Sequence, residues 1–110
     1  MESSPEHLAV TSSGGTTTVR VIGDLDLHAR AEAEQLIHQV ECDGVDDLIL
    51  DLKRLGFIDS TGVSALLSLA HTVRKRYGRV RLRNAPERAL FLLDVRGGMG
   101  MFDDRGKRSA

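Results

Sequence analysis

The tetrapeptide Asp59-Ser60-Thr61-Gly62 joins a carboxylate, two hydroxyls and a glycine at the start of an apolar-periodic segment. Asp59 or Ser60 can cap a helix there, offering a side-chain oxygen to the first free backbone N–H groups. Gly62 would let that helix pack closely on a sheet. An exposed Ser60 at such a junction could also carry a phosphate, since a helix N-terminus tolerates an anion. At neutral pH that phosphate would bring about −1.5 to −2 charges beside Asp59. On spacing alone the cap is the simpler account, because such tetrapeptides are common.

Other reactive constellations are weaker. Serine hydrolysis would need a base and an acid around Ser60, but no G-x-S-x-G elbow surrounds it. His7, His28, His38 and His71 are scattered without i, i+4 metal-ligand spacing, so neither a triad nor a zinc site is expected. Asp51 could be offered as the phosphoacceptor of a receiver domain, but the chain has no acidic pair after its first strand. A loop-facing, hydrogen-bonding carboxylate is the better reading. Cys42 stands alone, excludes an intramolecular disulfide, and reads as a half-buried helix-end residue. Arg74-Lys75-Arg76 reads as a solvated helix end. No catalytic residue, metal or cofactor is expected.

Composition sets the frame. The 110 residues fit one domain, and 41% hydrophobic with 28% charged residues is a globular balance. A net charge of −1 gives no general attraction for nucleic acid or an acidic membrane surface. The first ten residues lack the basic and apolar regions of a signal peptide. The apolar stretch around Ala65 to Ala70 is far short of the ~20 residues that cross a bilayer. A cytoplasmic location is therefore expected.

The elements that must hold Asp59-Ser60 are legible as a β-β-α-β-α-β-α series. Leu8 to Val10 and Thr16 to Ile22 read as strands joined by a Ser12-Ser13-Gly14-Gly15 turn, so the chain opens antiparallel. Thr17, Val19 and Val21 share one face. Gly23-Asp24-Leu25-Asp26 ends this hairpin, and Ala29, Ala33, Leu36, Ile37 and Val40 then form a helical stripe that Gly44 stops. The run Leu48-Ile49-Leu50, with Leu52, suggests a strand covered on both faces. A loop over 53–59 leads to a helix from Ser60 to Tyr77, with Val63, Leu66, Leu67, Ala70 and Val73 inward and Gly78 as its C′ residue. Val80 and Leu82 mark a strand. Pro86 lies just inside a third helix bearing Ala89, Leu90, Leu92 and Leu93. Met99, Met101 and Phe102 anchor a loose, glycine-rich end, with a further short strand near Met101 conceivable. The fold class is α/β: one domain over residues 8–102, a mixed sheet opened by an antiparallel hairpin, helices mainly on one side. Residues 1–7 are expected to be flexible and residues 103–110 to form a disordered tail.

These segments resemble the STAS family, and within it the bacterial anti-sigma factor antagonists. Gly23-Asp24-Leu25-Asp26 is similar to their G-x-L-D turn, and Leu48 to Leu52 to their apolar strand ending in D-L. Phe57 to Val63 agrees at every defined position with their F-x-D-S signature, which continues with Ser or Thr, Gly, and Val or Leu. Val80 to Asn84 resembles their strand before the last helix, and the likeness runs from about Leu8 to Phe102. The end after Arg96 departs, being richer in glycine and compressed.

The resemblance implies a function that spacing does not. Ser60 falls on the family's phosphoacceptor, and Asp26 on an aspartate that helps shape the partner surface. With Asp24, Asp59, Thr61 and Gly62 they make the expected partner-binding site. The implied partners are an anti-sigma factor that is also a serine kinase, and a phosphatase that resets the cycle. The sigma factor is freed while Ser60 is unmodified. STAS domains also serve as scaffold or adaptor subunits of stress-sensing and lipid-transport assemblies, which is the alternative.

Overall fold

Gly14 and Gly15 both take positive φ, 59° and 85°, and this turn folds strand β1 (Leu8–Ser13) back on strand β2 (Thr16–Leu25). The computed structural model describes residues 7–105. After β2 come a 3₁₀ turn (Leu27–Ala29), helix α1 (Arg30–Cys42), strand β3 (Asp47–Ile58) and helix α2 (Ser60–Arg74). Strand β4 (Arg79–Arg83), helix α3 (Glu87–Val95), a second 3₁₀ turn (Met99–Met101) and strand β5 (Asp104–Arg105) complete the order. The sheet runs β1-β2-β3-β4-β5, with β1 and β2 antiparallel and every other pair parallel. This is the mixed sheet that the opening hairpin implies.

Alternation along the strands decides what the sheet buries. Val19, Val21, Leu48, Leu50, Leu52, Val80 and Leu82 point to one face and join Ala33, Leu36 and Val40 of α1, Val63, Leu66 and Val73 of α2, and Leu93 of α3 in one core. Each fully buried Leu or Val contributes about 1.5–3 kcal/mol from the apolar surface it removes from water. The opposite face carries no helix. Ile49 is buried there but stands apart from the core, between its register partners Thr18 and Arg81. The apolar run of β3 is thus covered by helices on one face and by threonine and arginine stems on the other, not by helices on both.

Several boundaries differ from the sequence reading. Residues 53–58 are strand, not loop. β2 continues through Gly23 to Leu25, and β3 stays paired with it through Ile22–Arg54, Gly23–Leu55 and Leu25–Ile58. Two register shifts interrupt this ladder, and they break the period-2 pattern that would have announced it. Helix α2 ends at Arg74, and the left-handed residue after it is Tyr77 (φ 65°), not Gly78. Gly78 serves space instead: a Cβ there would lie 2.5 Å from Val73 Cγ1 and 2.9 Å from Asp46 Cα. Leu69 is buried where Leu67 was expected, and Leu67 is half-buried against the core. Pro86 lies just outside α3, as its N-cap residue.

The surface corrections have simple electrostatic causes. Arg74 donates to both carboxylate oxygens of Asp103 at 2.9 and 3.0 Å, Lys75 to Glu41 at 2.9 Å, and Arg76 to the Glu41 carbonyl at 3.2 Å. The helix end is therefore tied to its neighbours, not merely solvated. Cys42 is exposed, 3.4 Å from His38 Nε2. Asp51 sits within β3 and accepts from Lys53 N–H and Asn84 Nδ2. His7 is held by Glu32, which accepts from both its backbone and its ring. The Asp103 carboxylate accepts from Val80 N–H at 2.9 Å, and Asp104–Arg105 then pair with β4, so the start of the expected tail joins the sheet as β5. Residues 1–6 and 106–110, placed in the flexible N-terminus and the tail, lie outside the described residues.

Candidate functional site

The site is built where β2 and β3 end side by side. A single residue, Asp59, separates the last residue of β3 from the first of α2. Its backbone is extended (φ −118°, ψ −171°), which aims its carboxylate at the helix start. Oδ1 accepts from Gly62 N–H at 3.0 Å, and the Asp59 carbonyl accepts from Val63 N–H at 2.9 Å. Of the two candidate caps, Asp59 takes the role. Ser60, the first residue of α2, is exposed, and its hydroxyl is not used for that capping bond.

Gly62 fixes how close the helix comes. A Cβ on it would collide with the Leu25 carbonyl oxygen and stand 2.9 Å from Ile58 Cγ1. The helix start therefore rests on the end of β2 backbone to backbone, and Asp59 N–H points at the same Leu25 carbonyl, 3.5 Å away. A similar close crossing lies earlier along the same two strands. Asp24 accepts from Phe57 N–H at 2.8 Å, and a Cβ on Gly56 would lie 2.6 Å from Asp24 Oδ1. Asp26 caps the first 3₁₀ turn by accepting from His28 N–H at 3.0 Å.

The structure thus gathers all six expected site residues at one end of the sheet, in distinct roles. Asp24, Asp26 and Asp59 each shape backbone, and Gly62 supplies the close approach. Asp26, Thr61 and Gly62 also line a groove of about 320 Å³ between α1 and α2, with Leu25, Ala29 and Ala65. Ser60 is outside that groove's lining. Three carboxylates lie at this end, so a phosphate on Ser60 would enter a surface that is already acidic.

Sequence reasoning gave no role at this site to three residues. Leu27 and Phe57 are 59% and 57% exposed, large apolar side chains left on the surface beside the acidic turns. Isolated exposed apolar residues are ordinary, but two flanking one strand-to-helix junction make a surface of the kind a protein partner can cover. Phe57 was readable as a position next to Ile58, whose alternation turns inward. Leu27 had no such signal, because a 3₁₀ turn breaks the helical stripe. Arg88 was also missed; it donates to the Leu55 and Gly56 carbonyls and ties α3 to the end of β3. Among the described residues, no group of three or more His, Cys, Asp or Glu side chains could hold a metal ion. No helix among them is long and apolar enough to cross a membrane.

An exposed serine that opens a helix capped by the preceding aspartate, at the end of a mixed sheet, is the setting for a match to a known family. The sequence profile of the STAS domain matches residues 7–99, and the chain belongs to that family. Within the family it is similar to the anti-sigma-B factor antagonist of Bacillus subtilis, 27% identical over 89 residues, 81% of each chain. The anti-sigma-B factor antagonist of Staphylococcus aureus is 26% identical over 94 residues, 86% of this chain and 78% of that one. The solved structure of the anti-sigma factor antagonist SpoIIAA in its unphosphorylated form superposes with a TM-score of 0.65 at 28% identity, covering 78% of this chain and 82% of that one. An anti-sigma factor antagonist from Mycobacterium paratuberculosis gives a TM-score of 0.71 at 25% identity, covering 91% of this chain and 85% of that one.

Proposed function

We propose that this chain is an anti-sigma factor antagonist that binds an anti-sigma factor serine kinase through the β2–β3 end of its sheet and is switched off by phosphorylation at Ser60. The observation that carries the reading is the position of Ser60: exposed, first in α2, and excused from capping by Asp59. A kinase can reach that hydroxyl without unfolding the domain. The adjoining Leu27 and Phe57 offer apolar anchors, while Asp24, Asp26, Asp59, Thr61 and Gly62 frame the contact. Binding of the unmodified form holds the anti-sigma factor away from its sigma factor. A phosphate adds charge at the interface and separates the pair by repulsion and desolvation, and a phosphatase restores the serine. In this cycle, which belongs in the cytoplasm, the chain is a binding partner and a kinase substrate, with no turnover of its own.

The test is a titration of the cognate anti-sigma kinase with unmodified protein, phosphorylated protein, Ser60→Ala and Ser60→Asp, each checked for folding by circular dichroism. Ser60→Ala should keep its affinity. Ser60→Asp should lose part of it, because a carboxylate carries less charge than a phosphate. The phosphorylated protein should lose at least tenfold, about 1.4 kcal/mol. Equal affinity of the modified and unmodified forms would remove the switch and leave a constitutive scaffold role. Peptide mapping after incubation with kinase and ATP should place the phosphate on Ser60; a phosphate confined to Thr61 would refute the site.

A further inference from the structure

The glycine-rich stretch that departs from the family brings a cation to the serine's helix. Gly97 takes φ 73° and turns the chain at the end of α3, and Gly98 then lies directly on the Leu67 side chain of α2, where any Cβ would clash. Arg96, just before this turn, reaches back along α2, and its Nη2 donates to Ser64 Oγ at 3.1 Å. Ser64 is one helical turn after Ser60, on the same face, where residues four apart have Cβ atoms about 5–6 Å from each other. The guanidinium thus extends from the level of Leu67 toward the N-terminus of α2, and its partner is a neutral hydroxyl.

We propose that Arg96 receives the phosphate on Ser60, exchanging its bond to the Ser64 hydroxyl for a charge-assisted pair with the phosphate oxygens. This rests on the reading of Ser60 as the phosphoacceptor and assigns the residue that holds the modified state. A phosphate projects beyond Oγ and carries acceptors on three sides, so the swing asked of Arg96 is less than one helical turn. A guanidinium–phosphate pair is stronger than its bond to a neutral hydroxyl, and it can be bidentate. The neighbouring cations are engaged elsewhere. Arg30 of α1 donates to Glu34 at 3.2 Å, and Arg88 of α3 donates to the Leu55 and Gly56 carbonyls. The other charged or titratable groups around it include Asp24, Asp26, His28, Glu34 and Asp59, and His71 of α2 lines the same groove as Arg96 and Ser64. The carboxylates among them would raise the phosphate's second pKa, and Arg96 opposes them. The modified surface then differs from the unmodified one in two ways: it gains a dianion, and the bridge from α3 to Ser64 opens.

The experiment uses full-length protein with phosphoserine installed at position 60 during translation, so that it does not depend on any kinase. A ³¹P titration reads the phosphate's second pKa in the wild-type background, in Arg96→Gln and in Arg96→Lys. An opposite charge at contact lowers such a pKa, and at an exposed site a shift of about half a unit is expected. The phosphate should therefore titrate about half a unit lower in wild type than in Arg96→Gln, with Arg96→Lys between. In the wild-type phosphoprotein itself, the Arg96 Nε–H resonance should move in step with the phosphate titration. Identical phosphate pKa values, or an Arg96 resonance that ignores the phosphate, overturn the assignment. A kinase that fails to modify Ser60 would refute the proposed function while leaving this coupling measurable, so the two failures are distinct.

Discussion

Gly62→Ala sets two well-known effects against each other, and the structure decides the sign. In an exposed helix the change would stabilise by about 1 kcal/mol, since glycine is the poorer helix former. At this position the new methyl meets the Leu25 carbonyl oxygen, Leu25 C at 2.9 Å and Ile58 Cγ1 at 2.9 Å. Leu25 is in register with Ile58 at the end of the long parallel ladder, so its carbonyl cannot simply rotate away. Forcing atoms into a packed contact costs about 1–3 kcal/mol, and a backbone obstacle belongs at the upper end. The net expectation is a loss of about 1–2 kcal/mol, or roughly 5–15 °C in Tm for a domain of this size. Thermal unfolding followed by circular dichroism measures it, with Gly100→Ala as the control. A Cβ at Gly100 meets nothing within 4 Å, and that variant should be neutral. A Gly62→Ala protein as stable as wild type, or more so, would show that α2 does not rest on β2 in the way described.

Two further perturbations probe the same frame. Asp59→Ala removes the cap of α2 and should cost about 1 kcal/mol in urea unfolding, whereas Asp59→Asn, an equally good capping residue, should lose little; equal losses would deny the capping bond its role. The Val80 N–H and then Arg74 hold the Asp103 carboxyl below its usual range, and the Thr16 hydroxyl followed by Arg81 does the same for Asp47. A lowered folded-state pKa means the stabilisation is complete above the unfolded value of about 4 and is lost as pH falls through the folded values. The urea midpoint should drop below about pH 4, and more steeply than in Asp103→Asn; a midpoint unchanged between pH 6 and pH 3 would contradict both pairings.

Much of this architecture could be read from residue order because local and global signals agree. The Gly14-Gly15 turn, the Ala33-Leu36-Val40 stripe and the alternation Thr17-Val19-Val21 each have one sensible placement, and the structure places them so. What escaped reading depends on partners distant in sequence. Residues 53–58 are strand because Ile22 to Leu25 lie alongside, and with Lys53 and Arg54 both exposed, adjacent residues imitate a loop. Leu69 belongs to the core, whereas Leu67 turns aside from it and is covered only in part, by Gly98. At the site, Asp59 and Ser60 were equivalent as caps until the extended backbone of Asp59 chose between them. Arg88 and Arg96 act 32 residues away in sequence, a reach that no local pattern encodes.

The single-residue junction between β3 and α2 has a consequence for how Ser60 can be recognised. A hydroxyl in the first turn of a helix is not displayed on an extended, pliable segment that an enzyme could draw into a cleft. Its surroundings come from the ends of β2 and β3, so they exist only while the whole sheet is assembled. A peptide spanning the same residues would lack them and should be a poor substrate. An enzyme that modifies Ser60 on this surface therefore inspects the fold as it acts, and unfolded or nascent copies pass unmarked. Little chain entropy remains to be lost there on binding, so less of the contact energy goes into ordering the surface and more appears as affinity. Quality control and signalling would then share one recognition event.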